Sequence, residues 1–219
     1  MKLSSLQKGL VGHWTMAQDS LKGSLLADKT PYENDGTIYG ATFTTDRMGK
    51  ANSAMSFDGT NNYIDCGNNS SLNIKNEITL SAWVFVRDFT KTYSGIISTG
   101  LGIVNQSYSL QIREANNVMV FVRADGSVWN GVTANNLLSD AWIHVVGVDN
   151  GSKQSIYIDG VKRNESNSLG VIVNIAYVAI GKYSISLDGL IDDVRIYNRA
   201  LSQEEIILLY NSYNPKIIL

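Results

Sequence analysis

The chain of 219 residues holds one cysteine, two prolines and two histidines. A lone thiol, Cys66, excludes an internal disulfide, so stability must come from burial, and the redox compartment is left open. With so few prolines, and with no Gly/Ser-rich stretch or block of like charge, nothing marks a linker. One domain over residues 1–219 is therefore expected, with a core of about 9–213 and a short tail over 214–219. Charge is scarce and balanced: 18 basic and 20 acidic residues leave a formal net charge of −2. Such a chain has no field to draw phosphate backbones or anionic membranes, which excludes nucleic acid as an expected partner. No window approaches the roughly 20 apolar residues of a membrane-spanning helix, so membrane insertion is not expected. The opening Met1 to Leu10 lacks the apolar stretch of a secretory signal.

What the sequence does contain is alternation. Ile78, Leu80, Ala82, Val84 and Val86 interleave with Thr79, Ser81, Trp83 and Phe85, a period of two that defines a strand with apolar side chains on both faces. Shorter runs of this kind recur over 10–16, 37–43, 53–57, 107–113, 118–123, 142–149, 155–159, 177–182 and 190–197. The pairs Asp58-Gly59, Asp125-Gly126, Asn150-Gly151 and Asp159-Gly160 supply turns, because Gly adopts positive φ freely and Asp or Asn tolerates it. Many short strands and frequent turns predict an all-β, two-sheet antiparallel sandwich, with Trp14, Trp83 and Trp142 in its core. The exception is Ser202 to Tyr213. Ser202 and Glu205 form a capping box, and Ile206, Leu209, Tyr210 and Tyr213 recur at helical spacing, so one short C-terminal helix should dock on the sandwich. The apolar end Ile217-Ile218-Leu219 must pack back or meet another chain.

Both ends of the chain resemble a known family. Gly9-Leu10-Val11-Gly12-His13-Trp14 resembles the "LVGYW" opening of laminin-G-like jelly rolls in the concanavalin A-like lectin/glucanase superfamily. The run Gly189-Leu190-Ile191-Asp192-Asp193-Val194-Arg195-Ile196-Tyr197-Asn198-Arg199-Ala200-Leu201-Ser202 is similar to the last strand and helix start of that family. Between them, Ala54 to Gly59 with Tyr63-Ile64, Thr79 to Val84, Trp142 to Val148 and Ile156 to Gly160 resemble its successive strands in order. The resemblance implies a jelly-roll β-sandwich, a fold shared by lectins and some glycanases, so it names no ligand by itself.

Catalysis has little footing in the sequence. Retaining glycosidases need two carboxyls about 5 Å apart, and the E-x-D-x-x-E strand motif of the hydrolases on this architecture is absent. Glu204 and Glu205 serve the helix start. His13 and His144 lack a serine elbow or a metal-binding partner, and each is read as a packed ring. Cys66 has no activating neighbour and is read as an idle thiol.

By resemblance, an Asp on the last strand meets backbone carbonyls of the first-strand region around Ca2+, which points to Asp192 and its neighbour Asp193, with Asp19 and Asp28 as companions. Period two would place Asp192 on one face with Leu190, Val194 and Ile196. A carboxylate there must be paired or metal-bound, and a hydrogen-bonded Asp at the sheet end meets the same demand. The segment Asp28-Lys29-Thr30-Pro31-Tyr32-Glu33-Asn34-Asp35-Gly36 departs from the family's small-residue stretch. For a sugar, an aromatic face and hydrogen-bonding side chains are needed. Trp129, with Asp125 and Arg123, lies in a polar, Gly-rich stretch read as a rim loop, and Tyr93 and Tyr183 are further choices.

The expectation is thus a non-catalytic recognition or adhesion module on an exterior surface, binding a glycan or a surface protein. A virion decoration or appendage protein, contacting capsid or tail proteins or copies of itself, is the alternative, and a glycan-active hydrolase comes third.

Overall fold

Residues 78–86 show why the sheets form. Ile78, Leu80, Ala82, Val84 and Val86 are fully buried, each pointing the same way from an extended backbone. The structure, a computed structural model, describes residues 3–91, 93–100, 107–113, 117–124, 129–169 and 177–212. The apolar tail 214–219, Tyr213 and Asp125 lie outside them.

The first strands are β1 (Leu10–Trp14), β2 (Leu21–Lys22), β3 (Leu25–Leu26), β4 (Gly36–Tyr39), β5 (Thr42–Thr44), β6 (Ala54–Asp58) and β7 (Tyr63–Asp65). They are followed by β8 (Ile78–Val86), β9 (Ser94–Thr99), β10 (Tyr108–Arg113), β11 (Val118–Ala124) and β12 (Trp129–Ala134). The last five are β13 (Trp142–Asp149), β14 (Lys153–Ile158), β15 (Val161–Asn167), β16 (Val178–Ile180) and β17 (Asp188–Tyr197). One sheet, here the back sheet, has the order β15-β14-β13-β8-β17-β6-β5 with β1 also on β17. The front sheet runs β12-β11-β10-β9-β16-β7-β4-β3-β2. All named strand pairs are antiparallel, and the result is a jelly-roll sandwich.

The two inner faces share one core, in which Leu80, Val84, Val145 and Ile196 of the back sheet meet Leu110, Ile112 and Phe121 of the front sheet. At Gly147 the front sheet comes close: a methyl group there would stand 2.3 Å from the Phe121 ring. The missing side chain is what seats that ring. Along one flank the two sheets are latched by amides, with Asn164 Nδ2 donating to Thr133 O (3.2 Å) and Asn130 Nδ2 to Asn167 O (2.6 Å).

Alternation fails in one strand, and the failure shapes the molecule. In β17 the register on β8 shifts between Asp192 and Arg195, and Asp193 takes φ 47°. Ile191, Val194 and Ile196 all point into the core, so two residues stand where one would keep the period. This is a β-bulge. Asp192 therefore does not share a face with Val194 and Ile196 as period two predicts.

A second correction concerns the tryptophans. Trp14 is fully buried between the sheets, whereas Trp83 and Trp142 are half-buried on the outer face of the back sheet. There Trp83 stacks on Tyr210 (5.6 Å) and lies 5.1 Å from His144, while Trp142 meets Phe85 edge-on. Trp129, expected in a loop, is instead the first residue of β12, paired with Ala124 at the end of β11, while residues 125–128 lie outside the described residues.

The helix α1 (Gln203–Asn211) begins as the sequence predicts, with both capping-box bonds of Ser202 and Glu205 present. Ile206 and Leu209 pack with Leu6, Leu10, Val146, Tyr157 and Tyr197 on the outer face of the back sheet. Arg199 fixes the junction, its two terminal nitrogens reaching Glu205 Oε2 and Oε1 at 2.6 and 2.8 Å and its Nε donating to Lys8 O at 2.7 Å. Two outcomes follow. Gly147→Ala should cost about 1–3 kcal/mol through overpacking on Phe121, and Ser202→Ala about 1 kcal/mol through the lost cap, both read as lower urea midpoints at unchanged slope.

Candidate functional site

At one end of the sandwich, loops from both sheets enclose a pocket of ≈ 340 Å³. Its wall is formed by Tyr32 from the β3–β4 loop, Ser70, Asn73, Asn76 and Glu77 from the segment before β8, and Asn198 after β17. Tyr32 is 46% exposed. Among the described residues, the side-chain amides of Asn73, Asn76 and Asn198 make no hydrogen bond to protein. The wall therefore presents one aromatic face with three amide groups open to an occupant.

The loops are rigid from beneath. Asp28 Oδ1 accepts from the backbone of His13 (2.8 Å) and Thr30 (3.0 Å). Its Oδ2 accepts from Thr30 Oγ1 (2.7 Å) and Asn34 N (3.0 Å). Asn34 in turn donates to Val11 O (2.8 Å) and accepts from the Trp14 indole (2.9 Å) through its carbonyl. The 70–77 segment is held by Tyr108 Oη on Leu72 O (3.0 Å) and by Arg123, whose Nη2 donates to Asn76 O (2.8 Å) and Lys75 O (3.3 Å).

Arg123, expected at a ligand, is fully buried instead. It lies on the same face of β11 as the core residues Met119 and Phe121, with Nε 3.5 Å from Asp149 Oδ2. Burial pulls its guanidinium down to about 10, and Asp149 opposes the shift. Arg123 thus positions the pocket wall without meeting an occupant. Tyr183 is also fully buried, which removes it as a surface contact. Tyr93 is 39% exposed, at φ 64°, with the Arg113 guanidinium 4.8 Å over its ring. Neither lines the end pocket. Of Trp129 only the place in β12 is described, and Asp125 is outside the described residues. A flat pair, Tyr39 and Tyr63, stacks at 4.7 Å on the outer face of the front sheet, with Lys182 4.9 Å from the Tyr63 ring centroid.

The other predicted acids meet at the bulge. Asp19, Asp192 and Asp193 line a cleft of ≈ 370 Å³ with Asp46, Arg47, Lys29 and Lys50. Asp192 accepts from Arg47 Nη1. Asp193 Oδ1 lies 2.8 Å from His13 Nε2 and 3.1 Å from Arg195 Nε. Burial pushes the Asp192 carboxyl up to about 7, with Arg47 pulling it back. Burial works against Asp193 as well, yet Arg195 and His13 outweigh it and hold that carboxyl well below its usual range. Asp19 is exposed and 3.3 Å from Lys50 Nζ. Asp28 belongs to the other pocket's scaffold. Asp192, Asp193 and Asp19 thus each face a nitrogen of the protein, and among the described residues no group of three or more acidic, His or Cys side chains is placed to hold a metal.

A two-sheet jelly roll with loop-built pockets defines a lectin-like sandwich domain. Residues 58–207 match the Laminin_G_3 model, and the chain belongs to that family of the concanavalin A-like lectin/glucanases superfamily. No curated protein matches it in sequence. Among solved structures, the receptor-binding domain of a botulinum neurotoxin C/D mosaic serotype is similar over 94% of this chain and 51% of its own (TM-score 0.76, 15% identity). The binding domain of Paraclostridial mosquitocidal protein 1 is similar over 95% of this chain and 53% of its own (TM-score 0.72, 20% identity). This chain therefore spans about half of those structures. Domain 4 of the extracellular GH43 arabinanase from Geobacillus stearothermophilus, solved with arabinotriose, matches over 92% of this chain and 98% of its own (TM-score 0.72, 19% identity).

One pair of side chains has the spacing of a nucleophile and base. Ser81 Oγ lies 2.9 Å from His144 Nε2. Both are buried, and His144 Nδ1 has no hydrogen-bond partner to orient the ring, so the pair lacks the third group and the access that acyl chemistry needs. Burial drives the His144 pKa from 6.5 down to about 3, with Asp193 pulling the other way. The folded ring stays neutral where the unfolded chain takes up a proton. His144's contribution is complete above pH 6.5 and is lost as pH falls from 6.5 towards 3, at about 1.4 kcal/mol per unit. Asp193 adds its own acid loss only below the ordinary carboxylate range. Asp192, raised to about 7 in the fold, works in the opposite sense over the same range, so the His144 slope is read by difference: in urea unfolding between about pH 7.5 and 4.5, His144→Gln should lose less stability on acidification than the wild type.

Proposed function

We propose that the protein is a non-catalytic glycan-recognition domain whose ligand occupies the end pocket beside Tyr32. The observation that carries this reading is the composition of a preformed wall: an exposed tyrosine face for a sugar ring, with unengaged amides of Asn73, Asn76 and Asn198 for its hydroxyl groups. Buried anchors under both loops, Asp28 and Arg123, hold these groups in place before a ligand arrives, which lowers the ordering cost of binding. The comparisons support carbohydrate as the ligand class. The arabinanase domain was solved with arabinotriose. A similar botulinum neurotoxin type C structure concerns a toxin that enters cells through two ganglioside molecules. A domain of this kind acts on an exterior surface.

A glycan array followed by titration of the best hit tests the reading. Tyr32→Ala should weaken binding at least about tenfold, or about 1.4 kcal/mol, and Asn76→Ala should weaken it as well. Tyr39→Ala, an equally exposed tyrosine on the front sheet, should leave it unchanged. Loss of binding in Tyr39→Ala with Tyr32→Ala intact moves the site to the front sheet. Silence on the array together with defined self-association favours the assembly role.

A further inference from the structure

The cleft at the bulge in β17 has the carboxylates of a cation site and is filled by the protein itself. The bulge turns Asp192 to the outer face of the back sheet, in register with Trp83 of β8. Across the gap, the β5–β6 turn is locked by Asp46, whose Oδ1 accepts from Met48 N and Lys50 N at 2.8 Å each and whose backbone N–H donates to Lys50 O at 3.0 Å. That rigid turn projects Arg47 onto Asp192. Its guanidinium carbon lies 4.7 Å from the Trp83 ring centroid, and its side chain is only 7% exposed. The planar, delocalised cation suits a gap with a carboxylate on one side and an indole face on the other.

We propose that Arg47 is the resident cation of this cleft and replaces a divalent ion between the first-strand region and β17, so that the domain folds and remains folded without calcium. The arrangement of the surrounding hydrogens supports this from the opposite side. Asp193 is engaged by His13 and Arg195, Asp46 by two backbone N–H groups, and Asp19 by Lys50. A metal would have to displace these donors as well as the guanidinium. Because the cation is part of the chain, its local concentration does not vary with the medium.

The test is thermal unfolding of the whole protein in calcium chloride and in chelator, alongside calorimetric titration with calcium. The wild-type chain should melt at the same temperature in both and show no saturable calcium uptake. Arg47→Met keeps the length and removes the charge, and it should melt at least about 5 °C lower, because it leaves a buried carboxylate without its partner. Arg47→Lys should retain part of the difference, and it serves if the methionine variant does not fold. Saturable calcium binding by the wild type, a chelator-dependent melting temperature, or an Arg47→Met variant as stable as the wild type would each overturn the proposal.

Discussion

A strand edge can pair with one neighbour at a time, and β17 divides one edge between two. Its first four residues pair with β6 and its last four with β1. The bulge at Asp192 and Asp193 lies at the change of partner and keeps Ile191, Val194 and Ile196 directed at the core on both sides of it. Without the extra residue, one half of the strand would turn its apolar side chains to solvent. The strand that closes the back sheet therefore creates a break in its own ladder. Two carboxylates are left at that break, and they are answered by a ring nitrogen of β1 and by guanidinium groups of the β5–β6 turn and of β17 itself.

The sandwich is legible in the sequence because its inner strands alternate. Ile78 to Val86 shows its faces without help from tertiary context, whereas Val118 to Val122 is apolar at each position and shows only that it is a buried strand. The edge strand β15 is not legible: Val161 to Asn167 is exposed at nearly every position, and tertiary partners order it, through its pairing with β14 and the amide latches to β12. The bulge is hidden for a related reason, since a period of two assumes that no residue is added. A place in a regular strand suggests the core for Trp83 and Trp142, although their alternation with Ala82, Val84 and Ile143 already places them on the opposite face. Arg123 carries the same lesson. Counting by two from Met119 and Phe121 directs it inward, while the polar residues after it suggest a rim. Of the end pocket, the sequence shows Asp28 and the unusual Pro31-Tyr32-Glu33. It does not show that this loop meets residues 70–77, which are far along the chain.

Beneath the pocket, the ion pair of Arg123 and Asp149 is fully buried. Such a pair gives little net stability once desolvation is counted. Its value here is directional, because the guanidinium has carbonyls of the 70–77 segment to satisfy and so fixes where that segment runs. Asp28 does the same for the opposing loop with four hydrogen bonds on one carboxylate. Both groups are matched to backbone that would otherwise wander, and the pocket inherits its shape from them.

The amide latches of Asn130 and Asn164 have a consequence for life in a crowded medium. Sheet margins with free N–H and C=O groups are templates on which foreign chains can add, layer by layer. Here the margins formed by β12 and β15 face each other, and carbonyls at Thr133 and Asn167 are taken by side chains across the seam. Lys162, Arg163 and Glu165 place charge along the same margin. That flank offers an arriving strand no uninterrupted row of partners, so fibrillar growth by strand addition has no starting point along it.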